Sequence, residues 1–201
     1  MKVTIIDYGA GNVPSVERAL QRLGAESERT NSPDRIAKAE ALLLPGVGHY
    51  AALVRALDEQ KICEPLVGAI ERGAPFLGIC LGLQVLFESS AESPQLRGLN
   101  LLPGKVCSLP STVKLPHMGW NQIAANRESR LLAGIDSSAY FYFAHSYAAP
   151  DSNESITATC THGASFAAIV ERQNIYGVQF HPEKSGDSGS RLLQNFLRIA
   201  A

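Results

Sequence analysis

The chain has 201 residues and 45% hydrophobic content, enough to bury the core of one domain. With 18 basic against 19 acidic residues the formal net charge is −1, so no overall field favours nucleic acid or an anionic membrane surface. The opening apolar run is too short for a signal peptide, no stretch approaches a membrane span, and Cys63, Cys80, Cys107 and Cys160 lack paired metal spacing, which predicts reduced thiols in a cytoplasm with neither metal nor cofactor.

The spacing predicts a strand over residues 2–6, a Gly-containing turn over 7–12, and a helix over 13–23 whose stripe is Val16, Leu20 and Leu23, capped by Gly24. Residues 26–30 read as an edge strand, and Ser32-Pro33-Asp34 as an N-cap with Pro at the first helical position. Residues 41–44 read as a buried strand stopped by Pro45-Gly46. Helices are predicted over 50–60 and 65–72, followed by a strand over 75–79 and a helix over 81–88. This alternation predicts βα units and a largely parallel sheet. The second half is different: 112–115, 122–124, 139–143, 155–161, 167–171 and 174–180 are strand-like, which predicts a mixed sheet with antiparallel strands. A helix over 188–200, striped by Leu192, Leu193, Phe196 and Ile199, closes an α/β chain expected to form one domain over residues 1–201.

Chemistry concentrates in two places. Gly78-Ile79-Cys80-Leu81-Gly82-Leu83 reads as a strand delivering a cysteine onto the first turn of a helix, a sharp elbow that tolerates little side chain two residues either side of Cys80. Unpaired N–H groups there favour a thiolate and can stabilise an oxyanion. By itself this pattern is as common in a tight packing contact as in a nucleophile. The second place is Tyr176-Gly177-Val178-Gln179-Phe180-His181-Pro182-Glu183, an apolar strand that ends in an imidazole followed two residues later by a carboxylate. A thiol nucleophile needs a base, and the base needs an acceptor on its other nitrogen. Cys80 and His181 both fall just past apolar strands, which in a parallel sheet puts them on one edge.

Cys80 in its elbow and the His181-Pro182-Glu183 run resemble the Cys-His-Glu triad of the class I glutamine amidotransferases. Asp7-Tyr8-Gly9-Ala10-Gly11-Asn12, Pro45-Gly46-Val47-Gly48, Pro116-His117-Met118-Gly119-Trp120-Asn121, Tyr142-Phe143-Ala144-His145-Ser146-Tyr147 and His181-Pro182-Glu183-Lys184-Ser185 extend the likeness over nearly the whole chain. They are similar to the branch that feeds ammonia to a (β/α)8 cyclase subunit in histidine biosynthesis. The resemblance implies a flavodoxin-like fold and a heterodimer in which Cys80, His181 and Glu183 release ammonia from glutamine. The cyclase would then make imidazole glycerol phosphate and an aminoimidazole carboxamide ribotide. Gly46, Val47 and Gly48 would form an oxyanion strand, the Val47 amide pairing with that of Leu81. Gln84, His145, Ser146 and Tyr147 would lie near glutamine, and Asn12, Trp120, Asn121, Tyr142 and Lys184 toward the partner. Pro14, so close to a helix start, departs from the pattern and bears on gating. Three other readings stay open: a glutaminase serving a different acceptor enzyme, a Cys-dependent α/β-hydrolase, whose acid would precede the histidine in chain order, and a catalytically silent binding subunit.

Overall fold

The computed structural model describes residues 2–152 and 154–201. In chain order the strands are β1 (Lys2–Ile6), β2 (Glu26–Thr30), β3 (Ala41–Gly46), β4 (Phe76–Cys80), β5 (Phe87–Ser90), β6 (Leu102–Ser108), β7 (His117–Gln122), β8 (Ala124–Ala125), β9 (Tyr140–His145), β10 (Tyr147–Ala148), β11 (Ile156–His162), β12 (Ala164–Arg172) and β13 (Ile175–Val178). The helices are α1 (Val13–Arg22), α2 (Pro33–Ala37), α3 (Tyr50–Glu59), α4 (Cys63–Glu71), α5 (Leu81–Gln84) and α6 (Gly186–Ala200), with a 3-10 turn over Pro182–Lys184.

Eight strands form the central sheet in the order β2-β1-β3-β4-β13-β12-β11-β8. β2, β1, β3, β4 and β13 pair in parallel, and β12, β11 and β8 continue the sheet antiparallel. A parallel strand is covered on both faces and is therefore apolar throughout, as β4 and β3 are. One face packs α1 and α6 through Val16, Leu20, Leu192 and Phe196. The other packs α2, α3 and α4 through Ile36, Leu53, Leu57 and Leu66. Two small sheets, β10-β6-β5 and β7-β9, lie outside the main one.

Several expectations are corrected. β3 runs on through Pro45 and Gly46, opposite Ile79 and Cys80, because its ladder with β1 has ended at Leu43 and no donor is needed there. The helix expected over 81–88 stops at Gln84. The carbonyls of Val85 and Leu86 accept from Leu99 and from Leu101 and Leu102, at 2.7–2.9 Å, so the chain turns into β5 instead. Residues 112–115 form turns and bends, while β6 and most of β7 were not anticipated. Pro14 occupies the first turn of α1, where no intrahelical donor is lost.

Candidate active site

β4 ends at Cys80, which leaves the strand with φ 55 and ψ −107 and begins α5. A non-glycine residue held in this region costs on the order of 1–3 kcal/mol and persists only where packing enforces it. The enforcement is visible at two glycines. A Cβ on Gly78 would stand 2.3 Å from the Gly82 carbonyl oxygen, and one on Gly82 would stand 1.9 Å from the Leu44 oxygen. Without side chains there, α5 lies directly on β4 and β3, and Cys80, itself buried, is held at the carboxyl edge of the sheet.

β13 lies beside β4 in parallel register, Val178 opposite Ile79. The chain beyond it therefore meets Cys80, and Gln179 Nε2 lies 3.5 Å from Cys80 Sγ. Two residues on, His181 lies beside Cys80 on one side and meets Glu183 on the other, with Nδ1 donating to Oε1 over 2.9 Å. Asn12 Nδ2 donates to the same Oε1 at 2.9 Å. The His181 backbone is clamped as well: its N–H donates to Tyr142 O at 2.8 Å, and its carbonyl accepts from Ser185 Oγ at 2.7 Å. Burial pulls the His181 imidazole down, but the hydrogen bonds and charges of Cys80 and Glu183 outweigh it and lift the pKa to about 10. Burial likewise opposes the Glu183 carboxylate, and the His181 and Asn12 donors still hold it below its ordinary value.

A cavity of about 550 Å³ opens onto Cys80 and His181, within the range of small-molecule sites. Its wall includes Val47, Gly48, Gln84, Glu92 and the 145–147 segment. Gln84 is buried: Nε2 donates to Tyr147 O at 2.8 Å and to Gln179 Oε1 at 3.1 Å, leaving Oε1 without a partner among the described residues. His145 Nδ1 donates to the same Tyr147 carbonyl at 2.9 Å. Its Nε2 must then accept, from His117 Nδ1 at 3.2 Å, and His117 Nε2 accepts from Asn121 Nδ2 at 3.2 Å. The whole line is thereby polarised one way, with both rings neutral. Burial drives His145 down to about 3, and burial with the nearby His162 drives His117 down to about 4.

The family model for glutamine amidotransferase class-I matches residues 4–200. The chain belongs to the class I glutamine amidotransferases. It is 46% identical over 197 residues to the imidazole glycerol phosphate synthase subunit HisH of Methanothermobacter thermautotrophicus, covering 98% of both chains. The HisH subunit of Aquifex aeolicus is 44% identical, covering 100% of this chain and 98% of that one. Among solved structures, a glutamine amidotransferase superposes with a TM-score of 0.79 at 20% identity, over 98% of both chains. PurLQS from Thermotoga maritima superposes at 0.77 and 19%, over 100% of this chain and 99% of that one.

Within this amidotransferase fold, the structure brings Cys80, His181 and Glu183 together and sets Val47, Gly48, Leu81, Gln84, His145, Ser146 and Tyr147 around one cavity. Gly46 lies behind it, opposite Cys80, where a Cβ would come within 2.6 Å of Leu81 Cβ. Asn12 and Asn121, expected toward a partner, are half-buried and also bond within the chain: Asn12 to Glu183, and Asn121 to His117 and Thr161 O. Trp120 does stand exposed, edge-on to Tyr142 across the β7–β9 pair, and Lys184 Nζ lies 5.5 Å over the Tyr142 ring. Sequence reasoning missed Gln179, whose signal was a lone polar residue in an apolar strand, and Glu92, whose turn gave none.

Proposed function

We propose that the chain is the glutaminase subunit of an imidazole glycerol phosphate synthase, hydrolysing glutamine to glutamate and ammonia. The observation that carries the reading is the Cys80–His181–Glu183 line at the carboxyl ends of adjacent parallel strands, at the mouth of a cavity. Cys80 attacks the carboxamide carbon as a thiolate. The charge that develops on oxygen calls for the Leu81 and Val47 amides. His181, held protonated beside Cys80, gives its proton to the departing nitrogen, and ammonia leaves a cysteinyl thioester. Neutral again, His181 takes a proton from water, which attacks the thioester and releases glutamate. Glu183, itself held by Asn12, fixes the Nδ1–H tautomer throughout.

Glutamine brings an α-ammonium group, and Glu92 is the one carboxylate among the described residues lining the cavity. Its Oε2 already accepts from the Tyr50 N–H at 2.7 Å, which holds the headgroup in place. The unpartnered Gln84 Oε1 offers a second acceptor for the ammonium. A (β/α)8 cyclase subunit would handle the ribotide, in a division of labour that leaves this cavity to glutamine. Met118, Trp120 and Tyr140, 65%, 54% and 53% exposed on the β7–β9 pair, provide the apolar face for such a partner. The free cysteines agree with a reducing compartment such as the cytoplasm.

The test is glutamate release by the purified chain with and without a (β/α)8 cyclase subunit, read by coupled glutamate detection. Release that rises with the cyclase, and ammonia that reaches the ribotide, support the proposal. A cyclase complex that leaves glutamine intact overturns it.

A further inference from the structure

Gln179 follows β13 directly and is wholly buried, its backbone N–H donated to Ala168 O in β12 at 2.9 Å. A primary amide withdrawn from water is costly unless both its ends are used. Here both are: Oε1 accepts from Gln84 Nε2 at 3.1 Å, and Nε2 stands 3.5 Å from Cys80 Sγ.

Which end of the amide faces the sulfur follows from a backbone group. The Tyr147 carbonyl can only accept, so the Gln84 atom 2.8 Å from it is the nitrogen. That nitrogen also meets Gln179 and can only donate, so the Gln179 atom facing it is the oxygen. The nitrogen of Gln179 is left to the sulfur. Turning this amide over would set two NH2 groups against each other and aim an oxygen lone pair at Cys80. A neutral thiol is a weak acceptor, whereas a thiolate takes a charge-assisted hydrogen bond about twice as strong as a neutral one. A fixed donor at Sγ therefore favours the state in which the proton has left Cys80 for His181.

We propose that Gln179 is a thiolate donor that sets where the Cys80–His181 proton rests, with Gln84 as the positioning residue that relays its orientation from the Tyr147 carbonyl. The inference rests on the glutaminase reading above and deepens it, adding a residue that touches the attacking atom.

Gln179→Met keeps the length of the side chain and removes the donor, and Gln179→Leu repeats the test at smaller volume. The ionisable groups around the sulfur are His181 backed by Glu183, the Tyr8 phenol and, along the cavity, Glu92, His145 and Lys184, and no variant here replaces any of them. The thiolate-to-thiol ratio of Cys80 is read from ultraviolet thiolate absorbance during an acid titration, with Cys80→Ala as the blank. A hydrogen bond to a charged group shifts such an equilibrium by about tenfold, so the ratio should fall about tenfold in both Gln179 variants. Gln84→Met should lower it about twofold, the loss when a freed amide presents either end to the sulfur equally. Glutamate release by the complex should fall most at the acid end of the titration and least at the alkaline end, a profile that lost packing alone does not produce. Folded Gln179 variants with the wild-type ratio, in a protein whose wild-type complex hydrolyses glutamine, overturn the donor alone. A rate lost equally at every pH overturns it too, because Gln179 would then be structural. A Gln84→Met chain with the wild-type ratio overturns the relay. Wild-type complex that leaves glutamine intact overturns the glutaminase reading, and the thiolate ratio still decides for Gln179.

Discussion

Gly82→Ala is the sharpest probe of the elbow, because the new methyl carbon would meet a backbone atom. It would stand 1.9 Å from the Leu44 oxygen, against roughly 3.3 Å for an ordinary carbon–oxygen contact, so something must move by more than about 1 Å. Leu44 is fixed in β3 opposite Gly78, and Gly82 is fixed by Cys80 in its strained conformation, so neither side yields cheaply. Overpacking of a core costs about 1–3 kcal/mol, and a clash between two backbones belongs at the upper end. For a chain of this length about 3 kcal/mol lowers the melting temperature by roughly 6–12 °C. The same displacement passes to Cys80, where a misplacement of about 1 Å costs on the order of 10²-fold in rate. Calorimetry and glutamate release in the presence of the cyclase read the two effects separately. Gly68→Ala is the matched control: it sits within α4, its added carbon would meet only the tip of Arg72 at 3.3 Å, and helix propensity predicts a gain of up to about 1 kcal/mol. A Gly82→Ala protein that melts and turns over like the wild type would refute the packing argument for the elbow.

Cys80→Ala should abolish glutamine-dependent synthesis by the complex and leave synthesis from ammonium salts nearly intact; loss of both in an assembled complex would make Cys80 structural. Because His181 is raised to about 10 in the fold, its contribution to stability is fully present below the ordinary histidine pKa of about 6.5 and fades as pH climbs through 10. The gap in unfolding free energy between wild type and His181→Asn should therefore narrow over that window in denaturant titrations, and a constant gap would contradict the assignment. His145 and His117 work with the opposite sign: lowered to about 3 and about 4, they stabilise above about pH 6.5, and that stability drains away as acid is added. His145→Gln should flatten the decline of melting temperature between about pH 6.5 and about pH 4. Trp120→Ala, at a half-exposed position, should leave melting unchanged and weaken cyclase binding by on the order of 30-fold, the loss of a hot spot worth about 2 kcal/mol, measured by titration calorimetry.

The parallel half of the fold was legible because β1, β3 and β4 are short apolar runs, with Pro45-Gly46 and Pro75 marking β3 and β4, and residues 2–6 and 26–30 fall where β1 and β2 do. The run after the elbow was not, because Leu83, Val85 and Leu86 suit a helix and only distant donors, Leu99, Leu101 and Leu102, make a helix impossible there. β6 and β7 carry exposed polar residues and Gly104 and Gly119, which dilute any strand signal. In the site, Cys80, His181 and Glu183 were legible because their chemistry and local spacing are specific. The Asn12–Glu183 hydrogen bond was hidden, since its partners lie 171 residues apart in the chain.

β13 comes last in chain order among the described strands, yet it occupies the middle of the main sheet. Without residues 175–178 the sheet is two pieces, β2-β1-β3-β4 and β12-β11-β8, each with a bare edge, and bare edges invite pairing with other chains. At roughly 5–20 residues per second, the emerging chain carries the exposed edge of β4 for several seconds before its neighbour arrives. The same delay protects the cell from a half-made hydrolase: Cys80 waits on one piece while its base follows the joining strand. Assembly of the sheet and assembly of the catalytic line are a single event.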